Sequence, residues 1–175
     1  ELDPEGGMIN RVDAFQPAGD IFIEIDGADA NGYRRELDLL HGVASVTHQA
    51  NGATILRETF AHACCPAIIT RVAAEDGKTF SGTIALSRVE DPECTLALSA
   101  GTDDAAQLCM GGRFDEGVNF HVRVVLISLD GRFSNAAADT AAALRVEDCS
   151  ELFIVASIAV GLDEAGQNEI LGLGS

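Results

Sequence analysis

Apolar and polar residues alternate with period two along most of this chain, the pattern of strands that bury one face. Ile21, Ile23 and Ile25 point one way, while Asp20, Glu24 and Asp26 point the other together with Phe22. Val118, Phe120, Val122, Val124 and Leu126 form a longer stripe opposite Asn119, His121 and Arg123. Val125 and Ile127 carry the apolar character onto the second face, which predicts cover on both sides at that end. Phe80, Ile84 and Leu86 alternate with Ser81, Thr83 and Ser87. Shorter strands are predicted over 43–49, 54–61, 67–73, 95–99 and 152–160. The predicted core is Ile21, Ile23, Ile25, Phe80, Ile84, Leu86, Phe120, Val122, Val124, Ile154 and Ala156.

Turn signals separate these runs: Asp26-Gly27, Asn31-Gly32, Asn51-Gly52, Asp76-Gly77, Gly111-Gly112 and Asp130-Gly131. Asn51-Gly52 and Asp130-Gly131 fit two-residue hairpins, whose central residues need positive φ. Ten or more short strands at such spacing predict an all-β fold, an antiparallel β-sandwich of the super-sandwich type. One segment pulls the other way. Residues 136–146 are rich in alanine and read as helix on propensity alone. Residues 1–14 and 163–175 lack periodicity and read as flanks of one domain over 15–162.

Composition narrows the function. The 175 residues are 47% hydrophobic, enough for one domain with a sizeable core and no need of disulfides or metal. Eleven basic against 28 acidic residues give a net charge of −17, a field that repels nucleic-acid phosphates and anionic membrane surfaces. The longest apolar run, 152–162, is about half of the roughly 20 residues a bilayer span takes. Eight Phe, one Tyr and no Trp supply few platforms for stacking sugars. Five cysteines, Cys64, Cys65, Cys94, Cys109 and Cys149, follow no zinc-ligand spacing and read as buried free thiols, which favours a reducing compartment and leaves a secreted parent open. Four scattered histidines, paired acids without an Asp-x-Asp-x-Asp loop, and the absence of Gly-x-Ser-x-Gly or a phosphate-cradling loop point to no metal, no cofactor and no nucleophile.

Two segments stand out chemically. Gln16-Pro17-Ala18-Gly19-Asp20 makes a tight approach to the first strand, because proline has no N–H to give a ladder. Tyr33-Arg34-Arg35-Glu36-Leu37-Asp38-Leu39 places Arg34, Glu36 and Asp38 on one face and Arg35 and Leu37 on the other. Such an Arg–carboxylate ladder either stabilises a solvated sheet edge or docks a neighbouring domain. With the later Arg57-Glu58-Thr59-Phe60-Ala61-His62, this succession resembles the N-terminal β-sandwich of glycoside hydrolase family 95, the α-L-fucosidase-like enzymes. The chain departs from that pattern at Ala18, where the family has leucine, and at the vicinal Cys64-Cys65.

The resemblance runs from Phe15 to about Val160 and implies a β-hairpin, not a helix, around 131–147. It implies that catalysis belongs to an (α/α)₆ barrel elsewhere in the same polypeptide, acting on a fucosylated oligosaccharide. The chain lacks the family's opening strand and the barrel's acid and water-activating motifs, so it reads as an excised, non-catalytic part. Gln16, Asp20, Arg34, Arg35, Glu36 and Asp38 are the residues expected at an interdomain or cleft-rim surface, although Gln16 and Asp20 also suit simple turn capping. The alternative is an autonomous carbohydrate-binding module.

Overall fold

A computed structural model describes residues 16–103, 105–115 and 117–161. The flanks expected at 1–14 and 163–175 lie outside the described residues. Twelve strands follow one another without a helix among the described residues: β1 (Asp20–Ile25), β2 (Ala28–Asp38), β3 (Val43–Ala50), β4 (Ala53–Ala61), β5 (Ala67–Ala74), β6 (Phe80–Ser87), β7 (Cys94–Gly101), β8 (Ala106–Phe114), β9 (Asn119–Ile127), β10 (Arg132–Asn135), β11 (Ala142–Cys149) and β12 (Glu151–Val160). All pair antiparallel in two sheets. The smaller runs β1-β6-β11-β10 and the larger β2-β3-β4-β5-β12-β9-β8-β7. The fold is the expected all-β sandwich. The alanine-rich segment is no helix: 136–141 connects β10 to β11, and from Ala142 it is strand, with Ala142, Leu144 and Val146 on the inner face of the small sheet.

The two sheets are unequal, and this decides where the core sits. β11 packs over β7 and β8, and β6 over β8. Between them Ile84, Leu86, Leu108, Met110, Val124 and Leu144 are fully buried. Four strands cannot roof eight. β2 and the far ends of β3 and β4, around 44–46 and 57–59, extend beyond β1 with no strand above them among the described residues. Every residue of β2 is exposed, whereas Ala50, Ala53 and Ile55 at the near ends still join the core.

Several sequence expectations change for this reason or for local ones. Ile21, predicted core, is 36% exposed, because β1 is the small sheet's edge and looks onto the unroofed strands. Ile127 is 51% exposed: nothing among the described residues covers the outer face there. Gly111-Gly112 is not a turn but the middle of β8. The Phe120 ring on the neighbouring strand occupies the space a side chain at Gly112 would need. Asp130-Gly131 carries the chain from the large sheet to the small one instead of closing a hairpin, since β9 and β10 belong to different sheets. Asn51-Gly52 is the hairpin expected, with φ of 48° and 77°.

Candidate functional site

The unroofed inner face of β2–β5, bounded on one side by β1, forms a groove of about 750 Å³. Ile21 and Ile23 make the wall. Register sets the floor: Arg35 opposes Val46, Val46 opposes Arg57, and Arg57 opposes Val72 across four strands. In the next row Leu37, Ala44, Thr59 and Thr70 stand in line, and the Thr59 and Thr70 hydroxyls hydrogen-bond at 3.0 Å. Tyr33, 55% exposed, stands at the lip. The floor is thus apolar in patches, with two guanidinium groups set into it. His48 shares this inner face, and its pKa is lowered, first by burial and then by the Arg57 charge. A second groove of about 500 Å³ adjoins the first and shares Ile21, Ile68 and Ala156 with it. It opens between the start of β1 and the β4–β5 connection, and Asp20 lines it.

The six residues singled out by sequence fall into three places. Gln16 and Asp20 are exposed on the approach to β1. That approach is held from inside: Arg88, with only 3% of its side chain exposed, donates from Nε to the Pro17 carbonyl at 3.0 Å and from a terminal nitrogen to Asp91 at 3.0 Å. Its guanidinium lies 5.3 Å from the Phe114 ring centre and 5.8 Å from that of Phe120. Gly19 lets the backbone close down, since a Cβ there would lie 2.9 Å from the Ser87 carbonyl and against Met110. Arg34 and Glu36 pair at 2.5 Å on the outer face of β2, both well exposed. Asp38 closes that strand by accepting the Leu40 and His41 N–H groups and contacting the His41 ring at 2.7 Å, which holds its carboxyl below the usual range. Arg35 turns inward to the groove, whose lining Glu36 also reaches while its carboxylate pairs with Arg34. The structure therefore brings Asp20 to the smaller groove and Arg35 with Glu36 to the larger, and leaves Arg34 and Asp38 on the far side of the same edge strand.

Sequence reasoning missed Arg57, Tyr33 and His48 as groove residues. A signal existed in β4, where outward Leu56 and Phe60 are apolar while inward Arg57 and Thr59 are polar. That inversion is what a strand leaving the roofed core produces. The vicinal Cys64 and Cys65, expected as buried thiols, are exposed on the β4–β5 connection. Their N–H groups both donate to His62 Nδ1, at 3.2 and 3.1 Å, so backbone geometry rather than core packing places them. Among the described residues no three His, Cys, Asp or Glu side chains converge as metal ligands would. Each groove has one acidic residue in its lining, Glu36 in the larger and Asp20 in the smaller.

The family model described as "Glycosyl hydrolase family 65, N-terminal domain" matches residues 4–164. No curated protein matches the chain. With nearly its whole length matched, the chain belongs to that family: it is an N-terminal domain of a glycoside hydrolase family 65-type protein, built as a β-sandwich.

Proposed function

We propose, from that membership, that this domain is the non-catalytic scaffold of a family 95-like α-L-fucosidase, packed against an (α/α)₆ catalytic barrel of the same polypeptide. The observation that carries the reading is the family match across 4–164 to a domain defined by its place ahead of the rest of a glycosidase. The Gln16–Asp20 and Tyr33–Leu39 motifs support the narrower assignment to α-L-fucosidase-like enzymes through their resemblance to family 95. Inverting hydrolysis takes an acid and a base on opposite sides of the sugar, whereas the acid in the larger groove, Glu36, is engaged by Arg34 on the outer face.

In this reading the ladder of Arg34, Glu36 and Asp38, with Arg35 and the Gln16–Asp20 approach, forms the rim that meets the barrel and shapes the substrate cleft. Tyr33 beside the groove is the one feature that favours the alternative, a carbohydrate-binding module. One experiment separates the readings. Purified chain incubated with 2′-fucosyllactose is expected to release no fucose, and calorimetry against L-fucose and fucosylated oligosaccharides is expected to stay flat to millimolar concentration. Fucose release lost on Glu36→Gln would overturn the non-catalytic assignment. Saturable sugar binding weakened by Tyr33→Ala or Arg35→Ala would replace the scaffold by the binding module.

A further inference from the structure

The open edge of β1 and the floor beside it suit one kind of occupant: we propose that the groove binds an extended polypeptide strand, which pairs with β1 and directs a carboxylate at Arg57 and Arg35. The inference stands apart from the scaffold reading and holds for whichever enzyme the domain serves.

Backbone chemistry is the first argument. Among the described residues β1 pairs with β6 on one side only. The Asp26 N–H donates to the Ser81 carbonyl at 2.9 Å. Alternation along an antiparallel ladder then turns the N–H and C=O groups of Ile21 and Ile23 away from β6 and toward the groove. An edge of this kind is a template for another strand unless something blunts it. Asp20–Ile25 contains no lysine, no proline and no bulge, and its two charged residues, Asp20 and Glu24, alternate onto the face away from the groove-lining Ile21 and Ile23.

Side chains give the second argument. An added strand presents every second residue to the floor, where Val46, Ile68 and Leu37 offer apolar contact beside Ile21 and Ile23. Arg57 and Arg35 lie between those apolar residues. Among the described residues neither forms an ion pair, nor do Arg113 and Arg123, whereas Arg34, Arg71, Arg88, Arg132 and Arg145 do, in a chain of net charge −17. An acidic residue on the inward face of the strand supplies the missing partner.

Geometry argues against a second copy as occupant. Antiparallel pairing of two β1 edges would set both large sheets on the same side of the joined small sheets. There the unroofed parts of three strands in each copy, about 14 Å wide at the usual strand spacing, would collide with the other's. A glycan would offer neutral hydroxyls to Arg57 and no repeat matched to the backbone groups of Ile21 and Ile23.

The test uses the 175-residue chain and a synthetic strand, Thr-Val-Thr-Glu-Thr-Val-Thr, whose three inward positions are Val, Glu and Val. Hydrogen exchange and fluorescence anisotropy are expected to give saturable binding with protection of the Ile21 and Ile23 amides. Replacing the peptide's Glu by Lys should weaken binding about tenfold, the ratio for one partly desolvated ion pair. Arg57→Glu should reverse that order, and a proline at the peptide's centre should abolish binding. No binding, equal binding of the Glu and Lys peptides, or protection confined to other strands would overturn the proposal. So would Ile21 and Ile23 amides already protected in a dimer of the free chain. The peptide comparison on the unaltered chain decides the matter even if Arg57→Glu fails to fold.

Discussion

The half of the large sheet under the small one and the half beyond it are built from the same kind of strand, yet they differ in nearly every physical property. Under the roof, β7, β8 and β9 give inner faces of Leu, Met, Val and Phe, with Leu108, Met110 and Val124 at zero exposure. Beyond it, past the buried Ala50, Ala53 and Ile55, the inner faces of β2, β3 and β4 carry Tyr33, Arg35, Val46, Arg57 and Thr59. Alternation makes a strand with one dry face, but only a second layer makes that face a core. The open half keeps strand geometry through its ladders while its inner face stays free for recognition.

The contrast is tested most strongly by truncating matched inward residues. Phe120 is 5% exposed, in contact with Phe114 at 5.9 Å between ring centres and with the Arg88 guanidinium. Phe120→Ala is expected to cost about 3–5 kcal/mol in urea denaturation. Val46→Ala, on the unroofed end of β3, is expected to cost less than about 1 kcal/mol, because partial exposure limits both the transfer loss and the cavity. Equal costs would mean that the two halves are not distinct. Next in size comes the link between the roof and the approach to β1. Arg88→Met keeps the stem but removes the bonds to Pro17 and Asp91 and the ring contacts, and is expected to cost about 2–3 kcal/mol. Amide exchange at Gly19 and Asp20 should rise more than exchange within β8. A uniform rise would assign Arg88 a general packing role only.

On the outward face of the roof, Arg145 reaches Asp26 with two hydrogen bonds, one of 2.9 Å, and holds its carboxyl below the usual range. A depressed carboxylate stabilises the fold above its unfolded pKa and loses that contribution as pH falls through the folded value. Arg145→Ala should therefore destabilise at neutral pH by about 0.5–1 kcal/mol, the range for a partly exposed pair. Variant and parent should converge only once pH has fallen through the depressed folded value of Asp26. A difference that persisted in acid would trace to packing instead.

Much of the roofed half was legible in the sequence, because its signals are local. Val122, Val124 and Leu126 fix a strand and its buried face without knowledge of the partner, and Asn51-Gly52 fixes a hairpin through its backbone alone. The failures share a cause. Gly112 looks like a turn residue until the Phe120 ring beside it is known, and Asp130-Gly131 looks like a hairpin until β9 and β10 fall in different sheets. Ile21 follows the same alternation as Ile25 but meets a groove where Ile25 meets the core. The site was legible only along the chain. The opposed faces of Arg34 and Arg35 followed from parity, whereas the meeting of Arg35 with Arg57 depends on the pairing of three strands.

The smallest effect concerns the open half itself. His48 lies on its inner face, diagonal to Arg57, and burial followed by the Arg57 charge lowers its pKa from 6.5. Both causes disfavour the imidazolium, so the folded protein holds His48 neutral where the unfolded chain begins to protonate it. The unfolded state then binds more protons as pH falls below about 6.5, and stability must decline over that interval, levelling off once pH passes the folded value. An NMR titration of the His48 ring is expected to give a midpoint below 6.5. Arg57→Gln should raise it part of the way, since the larger cause, burial, remains. Occupation of the groove by an acidic strand acts on both causes in opposite directions: it deepens the burial and offsets the charge. The midpoint measured with and without the Glu-containing peptide therefore tells whether the unroofed face gains a dry cover or only a counter-charge. A further fall would mean cover, and a rise would mean that the carboxylate reaches Arg57 while water stays.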